Sequence, residues 1–202
     1  MKLIGFYDYT VILTYMSIVS AVVGMVVASN GRFTAAILCL AFSGLCDGFD
    51  GTVARTKKNR TEDEKSFGVQ LDSLCDVVSF GVFPAFLCYC MGVDSIFGVL
   101  CVCLYSLCAV IRLGFFNVLE INRQKTEDGA NKFYRGLPVT SISIIFPLLY
   151  ACRGLMGKPV FFVVLHIMLL SVAFLFVLDF KVKKISLVPH AAAQRRKKPV
   201  RK

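Results

Sequence analysis

Four aspartates interrupt two neighbouring apolar runs of the chain. Asp47 and Asp50 lie near the end of one run, and Asp72 and Asp76 lie near the start of the next. An ionisable side chain inside a membrane is costly unless it is paired, solvated or bound to a metal. Carboxylates that face one another also repel, and a divalent cation removes that repulsion. Oxygen ligands without histidine or cysteine favour Mg²⁺, Mn²⁺ or Ca²⁺ over zinc, so the pattern predicts a site for such ions.

Helical periodicity places the aspartates on faces that they share with small residues. The two faces consist of Asp47, Asp50, Gly51 and Ala54 on the first helix, and of Gly68, Asp72, Asp76 and Ser79 on the second. The connection is short, so we expect antiparallel neighbouring helices with both carboxylate pairs at a similar depth. Helix capping is an alternative for Asp72 and does not account for four acids. The small residues leave room for a nucleotide, or they serve close helix packing.

The rest of the chain predicts a membrane protein. It has 202 residues, is 56% hydrophobic and has a mean hydropathy of +0.69, whereas about 45–50% apolar residues is typical of soluble proteins. Six apolar runs are long enough to cross about 30 Å of hydrocarbon as helices. They are residues 11–29, 33–55, 70–92, 95–117, 137–155 and 159–180. We therefore expect an all-α integral membrane bundle of six transmembrane helices with a short N-terminal interfacial segment. A buried soluble bundle is the alternative.

The basic residues indicate the orientation of this bundle. The net charge is +10, and Lys and Arg concentrate at residue 2, in 55–65, in 123–135 and after residue 180. The positive-inside rule places these segments, and with them both termini and the aspartates, on the cytoplasmic side of a cell membrane. We expect a membrane domain over 1–182 and a basic tail over 183–202, which either attracts anionic lipids or only fixes orientation. Nucleic acid is not needed to explain the charge.

Two further expectations concern cysteines and processing. Most of the nine cysteines lie inside apolar runs, where packing explains them better than zinc or a disulfide framework. No small-residue cleavage site closes the first apolar run, so we expect no cleaved signal peptide.

The spacing from Asp47 to Asp76 resembles the signature of a known family. It reads D-x2-D-G-x2-A-R, then G-x3-D-x3-D, and is similar to the CDP-alcohol phosphotransferases. Flanking segments (71–85, 112–117 and 136–138) resemble the branch of the family whose acceptor is serine, and the resemblance covers residues 10–180. The twelve residues 56–67 between Arg55 and Gly68 exceed the family spacing, and we expect them to enlarge the cytoplasmic loop.

The resemblance implies a reaction and roles for the site residues. CDP-diacylglycerol would be the donor, a small alcohol the acceptor and CMP the leaving group, with two divalent ions (Mg²⁺ or Mn²⁺, or Ca²⁺) as cofactors and a homodimer as the assembly. Asp47, Asp50, Asp72 and Asp76 would be metal ligands, with Asp76 at the edge also the general base. The implied CDP-binding residues are Gly51, Ala54, Arg55 and Gly68. Alternatively, Arg55 anchors the helix end at the headgroups.

The predicted acceptor is L-serine, whose carboxylate suits an arginine partner. Arg112 interrupts the fourth apolar run, Arg135 precedes the fifth, and Ser79 lies on the face of the aspartates. Either arginine could instead bind a phosphorylated acceptor such as glycerol-3-phosphate or inositol phosphate, or extend to the interface. A cation transporter and a lipid-binding scaffold are the alternatives to an enzyme. The acids cluster at one depth and we find no internal repeat, which disfavours a transporter, and a scaffold would not require four aspartates.

Overall fold

The computed structural model describes residues 5–7, 9–54, 56–57, 61–125 and 133–183. Within these ranges the helices are α1 (Ile12–Ser29), α2 (Phe33–Ala54), α3 (Glu62–Asp76), α4 (Phe83–Cys90), α5 (Ile96–Lys125), α6 (Ile142–Ala151) and α7 (Lys158–Val177). A π-helical segment, Val77–Val82, joins α3 to α4, and 3₁₀ turns occupy Tyr9–Val11, Val139–Ser141 and Cys152–Leu155. Two short strands, β1 (Phe133–Arg135) and β2 (Lys181–Lys183), pair antiparallel.

The predicted all-α membrane bundle is confirmed. Five helical stretches are long and apolar enough to cross a membrane: Ile12–Ser29, Phe33–Val53, Glu62–Cys90, Ile96–Ile121 and Lys158–Val177. The sixth predicted span is the shorter apolar helix Val139–Leu155, which contains Pro147. The chain is therefore a multi-pass membrane protein.

The prediction of a long loop over 56–67 is wrong in its second half, because residues 62–67 belong to α3. Thr61 caps this helix: its hydroxyl accepts a hydrogen bond from the Glu64 N–H (3.2 Å), and the Glu64 carboxylate accepts one from the Thr61 N–H (2.9 Å). This reciprocal capping box satisfies two backbone donors that a helix start otherwise leaves open. Lys57 also forms an ion pair with Glu64 at 3.0 Å. The inserted residues thus lengthen α3, and α5 likewise continues to Lys125, beyond its predicted end at 117.

Small residues let α1 approach its neighbours closely. Ala21 and Ala28 of α1 and Ala36 of α2 are buried, and a Cβ on Gly24 would overlap the ring of Phe83. The largest side chains of the core come from the other helices and are Tyr105, Phe80, Phe83, Phe146 and Phe176. This close packing fixes α1 against α4 and against α2, which carries Asp47 and Asp50.

One end of the bundle gathers several chain segments. The Tyr9 hydroxyl lies 3.1 Å from Thr56 Oγ1, which brings the start of α1 to the end of α2. Phe6 packs edge-on against Phe67 in α3 with ring centroids 5.5 Å apart. Strands β1 and β2 pair where α6 is about to begin and α7 has ended. We call this end, which carries Tyr9, Thr56 and the two strands, the ribbon end.

Candidate metal-dependent active site

Three carboxylates converge between α2 and α3 toward the ribbon end. Asp47, Asp50 and Asp72 each offer an oxygen atom, and these oxygens all lie within 4.8 Å of one another. Asp47 and Asp50 are one helical turn apart, so they project from the same face of α2. Adjacent ligands of an octahedral Mg²⁺ with bonds of about 2.1 Å are about 3 Å apart.

Asp76 completes the group, one turn beyond Asp72 at the end of α3. It is buried, at 8% exposure, and its carboxyl group neighbours that of Asp47. The carboxyl groups of Asp50 and Asp72 stand in the same relation. We call these four residues the aspartate cluster. Asp76 lies outside the set of three converging oxygens, which agrees with a position at the edge, and its role as a ligand stays a prediction.

The donor set fits a hard divalent cation. Asp72 Oδ1 is buried and has no hydrogen-bond partner among the described residues, a situation that costs about 1–3 kcal/mol if nothing compensates it. Within the described part of the chain, no lysine or arginine forms an ion pair with the aspartate cluster. Carboxylate oxygens in this number are the ligands that Mg²⁺, Mn²⁺ and Ca²⁺ prefer. A cation would satisfy the open oxygen and offset the repulsion.

Helix α1 contributes a contact that the sequence analysis missed. The Thr14 hydroxyl is buried and donates a hydrogen bond to Asp50 Oδ2 at 3.4 Å. One turn later, the Ser17 hydroxyl donates to the Ser43 carbonyl at 3.3 Å and lies 3.5 Å from Ser79 Oγ. The available signal in the sequence was the spacing of Thr10, Thr14 and Ser17, which are polar and lie four and three positions apart in the first apolar run.

The structure describes the predicted nucleotide-binding residues to different extents. Gly51 is exposed, and its backbone N–H bonds to the carboxyl group of Asp50. Gly68 is partly buried in α3, one turn before Asp72. Ala54 ends α2, but its side chain, and Arg55 altogether, lie outside the described residues. A role in binding CDP stays a prediction for all four residues.

Arg112 has protein partners in the structure. It is 7% exposed and its Nε donates a hydrogen bond to the Leu137 carbonyl at 3.3 Å. Its guanidinium also interacts with the charge of Asp179 and lies 5.9 Å from the centre of the Phe116 ring. These contacts connect α5 to Leu137, which precedes α6, and to Asp179, which follows α7. They give Arg112 a structural function, and its predicted contact with the acceptor stays a prediction.

Of the other two predicted acceptor residues, the structure describes the side chain of Ser79 but not that of Arg135. Arg135 lies in β1, and its side chain is outside the described part. Ser79 is fully buried in the π-helical segment beside Ser17 of α1. A further polar pair lies next to the cluster: the Ser73 hydroxyl donates to Asn117 Oδ1 at 2.6 Å and joins α3 to α5.

An apolar groove of about 370 Å³ lies on the face of α1 and α2. Its lining includes Ile12, Met16, Val19, Val23 and Phe42. Thr14, which contacts Asp50, lies in the first turn of α1 at the depth where this groove starts, but on the buried side of the helix. The groove therefore begins near the depth of the aspartate cluster and runs along α1 toward the opposite end of the bundle.

The fold and the site define a class of protein, namely a multi-pass membrane protein with an intramembrane carboxylate centre suited to divalent metal. Residues 9–178 match the model of the CDP-alcohol phosphatidyltransferase family, so the chain belongs to this family. The resemblance inferred from the spacing of the aspartates is confirmed.

Relatives with assigned activities support the same family. The chain is 37% identical over 113 residues to a CDP-diacylglycerol–serine O-phosphatidyltransferase of Saccharomyces cerevisiae, covering 54% of this chain and 40% of that protein. It is 33% identical over 150 residues to an archaetidylserine synthase of Methanothermobacter thermautotrophicus, covering 74% and 60%. Against a CDP-diacylglycerol–serine O-phosphatidyltransferase of Bacillus subtilis it is 36% identical over 114 residues, covering 54% and 62%. The chain thus spans less than two thirds of the length of each.

Proposed function

We propose that this protein transfers a phosphatidyl group from CDP-diacylglycerol to the hydroxyl group of L-serine, yielding phosphatidylserine and CMP. The observation that carries the proposal is the convergence of Asp47, Asp50 and Asp72 in a chain of this family. The proposed reaction needs positioning and charge neutralisation at a pyrophosphate, which carboxylate-held cations provide.

The aspartates divide the work of the reaction. Asp47, Asp50 and Asp72 would hold Mg²⁺ or Mn²⁺, and the bound cation would neutralise charge on the pyrophosphate of the donor. The acceptor oxygen attacks the phosphorus that carries the diacylglycerol. The bond from this phosphorus to the bridging oxygen of CMP breaks, and CMP leaves with the electron pair.

Asp76 is the candidate for the proton transfer. A free alcohol is a poor nucleophile near neutral pH, so a carboxylate within hydrogen-bond reach assists its attack. Asp76 is buried beside Asp47 at the edge of the three converging oxygens. From this position its carboxylate would accept the hydroxyl proton while the other three aspartates remain engaged with the cation.

The apolar groove supports a lipid donor. It begins at the depth of Asp50, on the exposed side of α1, and its lining is mostly apolar. An acyl chain lying in it would enter from the membrane while the pyrophosphate of the same molecule reaches the aspartate cluster.

Serine as the acceptor rests on the names of the relatives and on charge. Two of the three relatives described above carry serine in their names as the acceptor, and the third is an archaetidylserine synthase. Arg112 places a buried positive charge on α5. The same helix contacts α3, which carries Asp72, through the hydrogen bond between Asn117 and Ser73. Such a charge suits the carboxylate of serine.

We also propose that the ribbon end faces the cytoplasm. In the sequence, the basic segments 55–65 and 123–135 and the tail after residue 180 adjoin the described residues of this end, and the positive-inside rule supports this orientation. The tail over 183–202 lies almost wholly outside the described residues, and its attraction to anionic lipid and the homodimer both stay predictions. Digestion of the tail by protease in inverted but not in right-side-out vesicles would be expected.

Acceptor-dependent release of CMP tests the function. Purified protein with CDP-diacylglycerol and Mn²⁺ is offered serine, glycerol-3-phosphate, inositol or inositol phosphate. We expect release with serine alone, and loss of release in Asp76→Asn but not in Asp94→Asn, an exposed aspartate outside the cluster. Release with another alcohol would replace serine as the acceptor, and no release with any of the four would refute the proposed reaction.

A further inference from the structure

The helix that carries Asp72 and Asp76 changes its winding directly after Asp76. Residues Val77–Val82 form a π-helix, and the Phe83 N–H bonds to the Val78 carbonyl, five residues back. Such segments are rare and often lie at functional sites.

Pro84 gives a local reason for the changed winding. Proline has no N–H, and in an α-helix its ring clashes with the carbonyl four residues back. For Pro84 that carbonyl belongs to Phe80, inside the π-helical segment. The Phe80 carbonyl therefore loses its regular α-helical donor at a point where it is sealed from water, because Phe80 is fully buried.

Helix α5 supplies the missing donor from its side chains. The Tyr105 hydroxyl donates a hydrogen bond to the Phe80 carbonyl at 2.7 Å, and Tyr105 is fully buried. The next residue, Ser106, donates to the Gly81 carbonyl at 3.2 Å. A Cβ on Gly81 would lie 3.2 Å from that of Ala109, so the two backbones are close here. A buried carbonyl without a donor is strongly disfavoured, so these two hydroxyls stabilise the π-helical winding.

We infer that Tyr105 is a positioning residue for the aspartate cluster: its bond to the Phe80 carbonyl holds the π-helical segment and thereby keeps Asp76 beside Asp47. Asp76 is the last residue of α3 and Phe80 follows four positions later. A change in winding over these four residues would rotate the end of α3 and turn the Asp76 carboxylate away from its partner. The inference rests on the proposed function for the nature of the ion that the aspartates hold.

A matched pair of tyrosine variants separates positioning from general stability. Tyr105→Phe removes one oxygen atom and keeps the buried ring. Tyr150→Phe makes the same change at a hydroxyl that lies 3.1 Å from Thr34 Oγ1. Thr34 precedes Asp50 by sixteen residues of α2, which is about 24 Å at about 1.5 Å per residue. Ser106→Ala is a second variant at the π-helical segment.

Two measurements on purified full-length protein test whether Tyr105 positions the aspartate cluster. Hydrogen exchange without metal is expected to speed up over residues 77–83 in Tyr105→Phe, and less so in Ser106→Ala, while Tyr150→Phe exchanges there like the wild type. Titration with Mn²⁺, with free Mn²⁺ followed by electron paramagnetic resonance, is expected to show about tenfold weaker binding in Tyr105→Phe, at the lower end of the loss seen for outer partners of metal ligands.

The outcomes distinguish this inference from the proposed function. Wild-type exchange or wild-type Mn²⁺ affinity in Tyr105→Phe would overturn the inference, and so would equal weakening in Tyr150→Phe. No Mn²⁺ binding by the wild-type protein would overturn the proposed function, and the exchange comparison would still decide whether Tyr105 holds the segment.

Discussion

Replacing Asp72 by asparagine should change stability in opposite directions with and without metal. Asp72 has carboxylate oxygens within 4.8 Å of those of Asp47 and Asp50. Two unit charges at that distance repel by about 3.5 kcal/mol at an effective dielectric constant of about 20. Two such pairs disappear in Asp72→Asn, but proton uptake by neighbouring carboxylates and solvent screening both reduce the gain below that sum. We expect the free energy of unfolding to rise by at least about 1 kcal/mol in EDTA, or about 2–4 °C in Tm for a chain of this size.

Divalent metal should reverse the order of the two proteins. A ligand present at about 100 times its Kd stabilises the folded state by about 2.7 kcal/mol, which corresponds to about 5–10 °C. The wild-type protein should gain this stability in Mn²⁺. Asp72→Asn, which lacks one of the three converging carboxylates, should gain far less. The melting temperature in detergent, measured with EDTA and over a series of Mn²⁺ concentrations, gives both quantities.

Asp94→Asn provides the matched control, because Asp94 is an exposed aspartate at the far end of α4 from the cluster. It should melt like the wild type in both conditions. The reasoning is refuted if Asp72→Asn is less stable than the wild type in EDTA and gains as much from Mn²⁺. That result would mean that the carboxylates neither repel nor share a cation.

Three further predictions concern packing, lipid and acceptor. Gly44→Ala should lower the free energy of unfolding by about 1–3 kcal/mol, because the new Cβ would overlap the Ser143 side chain. Adding Ser143→Gly should restore part of this stability, since the Ser143 Cα lies 3.9 Å from the position of that Cβ. Val19→Trp, in the apolar groove, should slow CMP release from long-chain more than from short-chain CDP-diacylglycerol, whereas Val163→Trp on the exposed face of α7 should not. Arg112→Ala should raise KM for serine about tenfold or more with a smaller change in kcat. An unchanged KM would limit Arg112 to its contacts within the protein.

The sequence predicted the spans well because the length of an apolar run is a strong local signal. It was less accurate at the ends of helices. Residues 62–66 are polar, and the segment that contains them was assigned to a loop, although Thr61 and Glu64 have the spacing of a capping box. Hydropathy marks where a helix leaves the hydrocarbon, and a helix that continues into water has no such mark. The same reason explains the extension of α5 to Lys125.

Contacts from other helices were beyond the reach of helical periodicity. The face that holds Asp47 and Asp50 follows from about 3.6 residues per turn, but the donation from Thr14 to Asp50 depends on how α1 packs against α2. Arg112 was predicted to face the acceptor because an arginine within an apolar run needs a polar partner. The structure supplies the Leu137 carbonyl and Asp179 as partners, and both are distant in sequence.

The sequence by itself determined the membrane bundle, the family and the helix faces that carry the aspartates, since these follow from local composition and from spacing along single helices. Only the tertiary structure decided that Thr14 bonds to Asp50, that Asp72 Oδ1 lacks a partner among the described residues, and that Tyr105 bonds to the Phe80 carbonyl. Pro84 marks in the sequence where a carbonyl is released, but not what satisfies it. That depends on which helix packs there, and such packing is set by the shapes of whole helices rather than by any one segment.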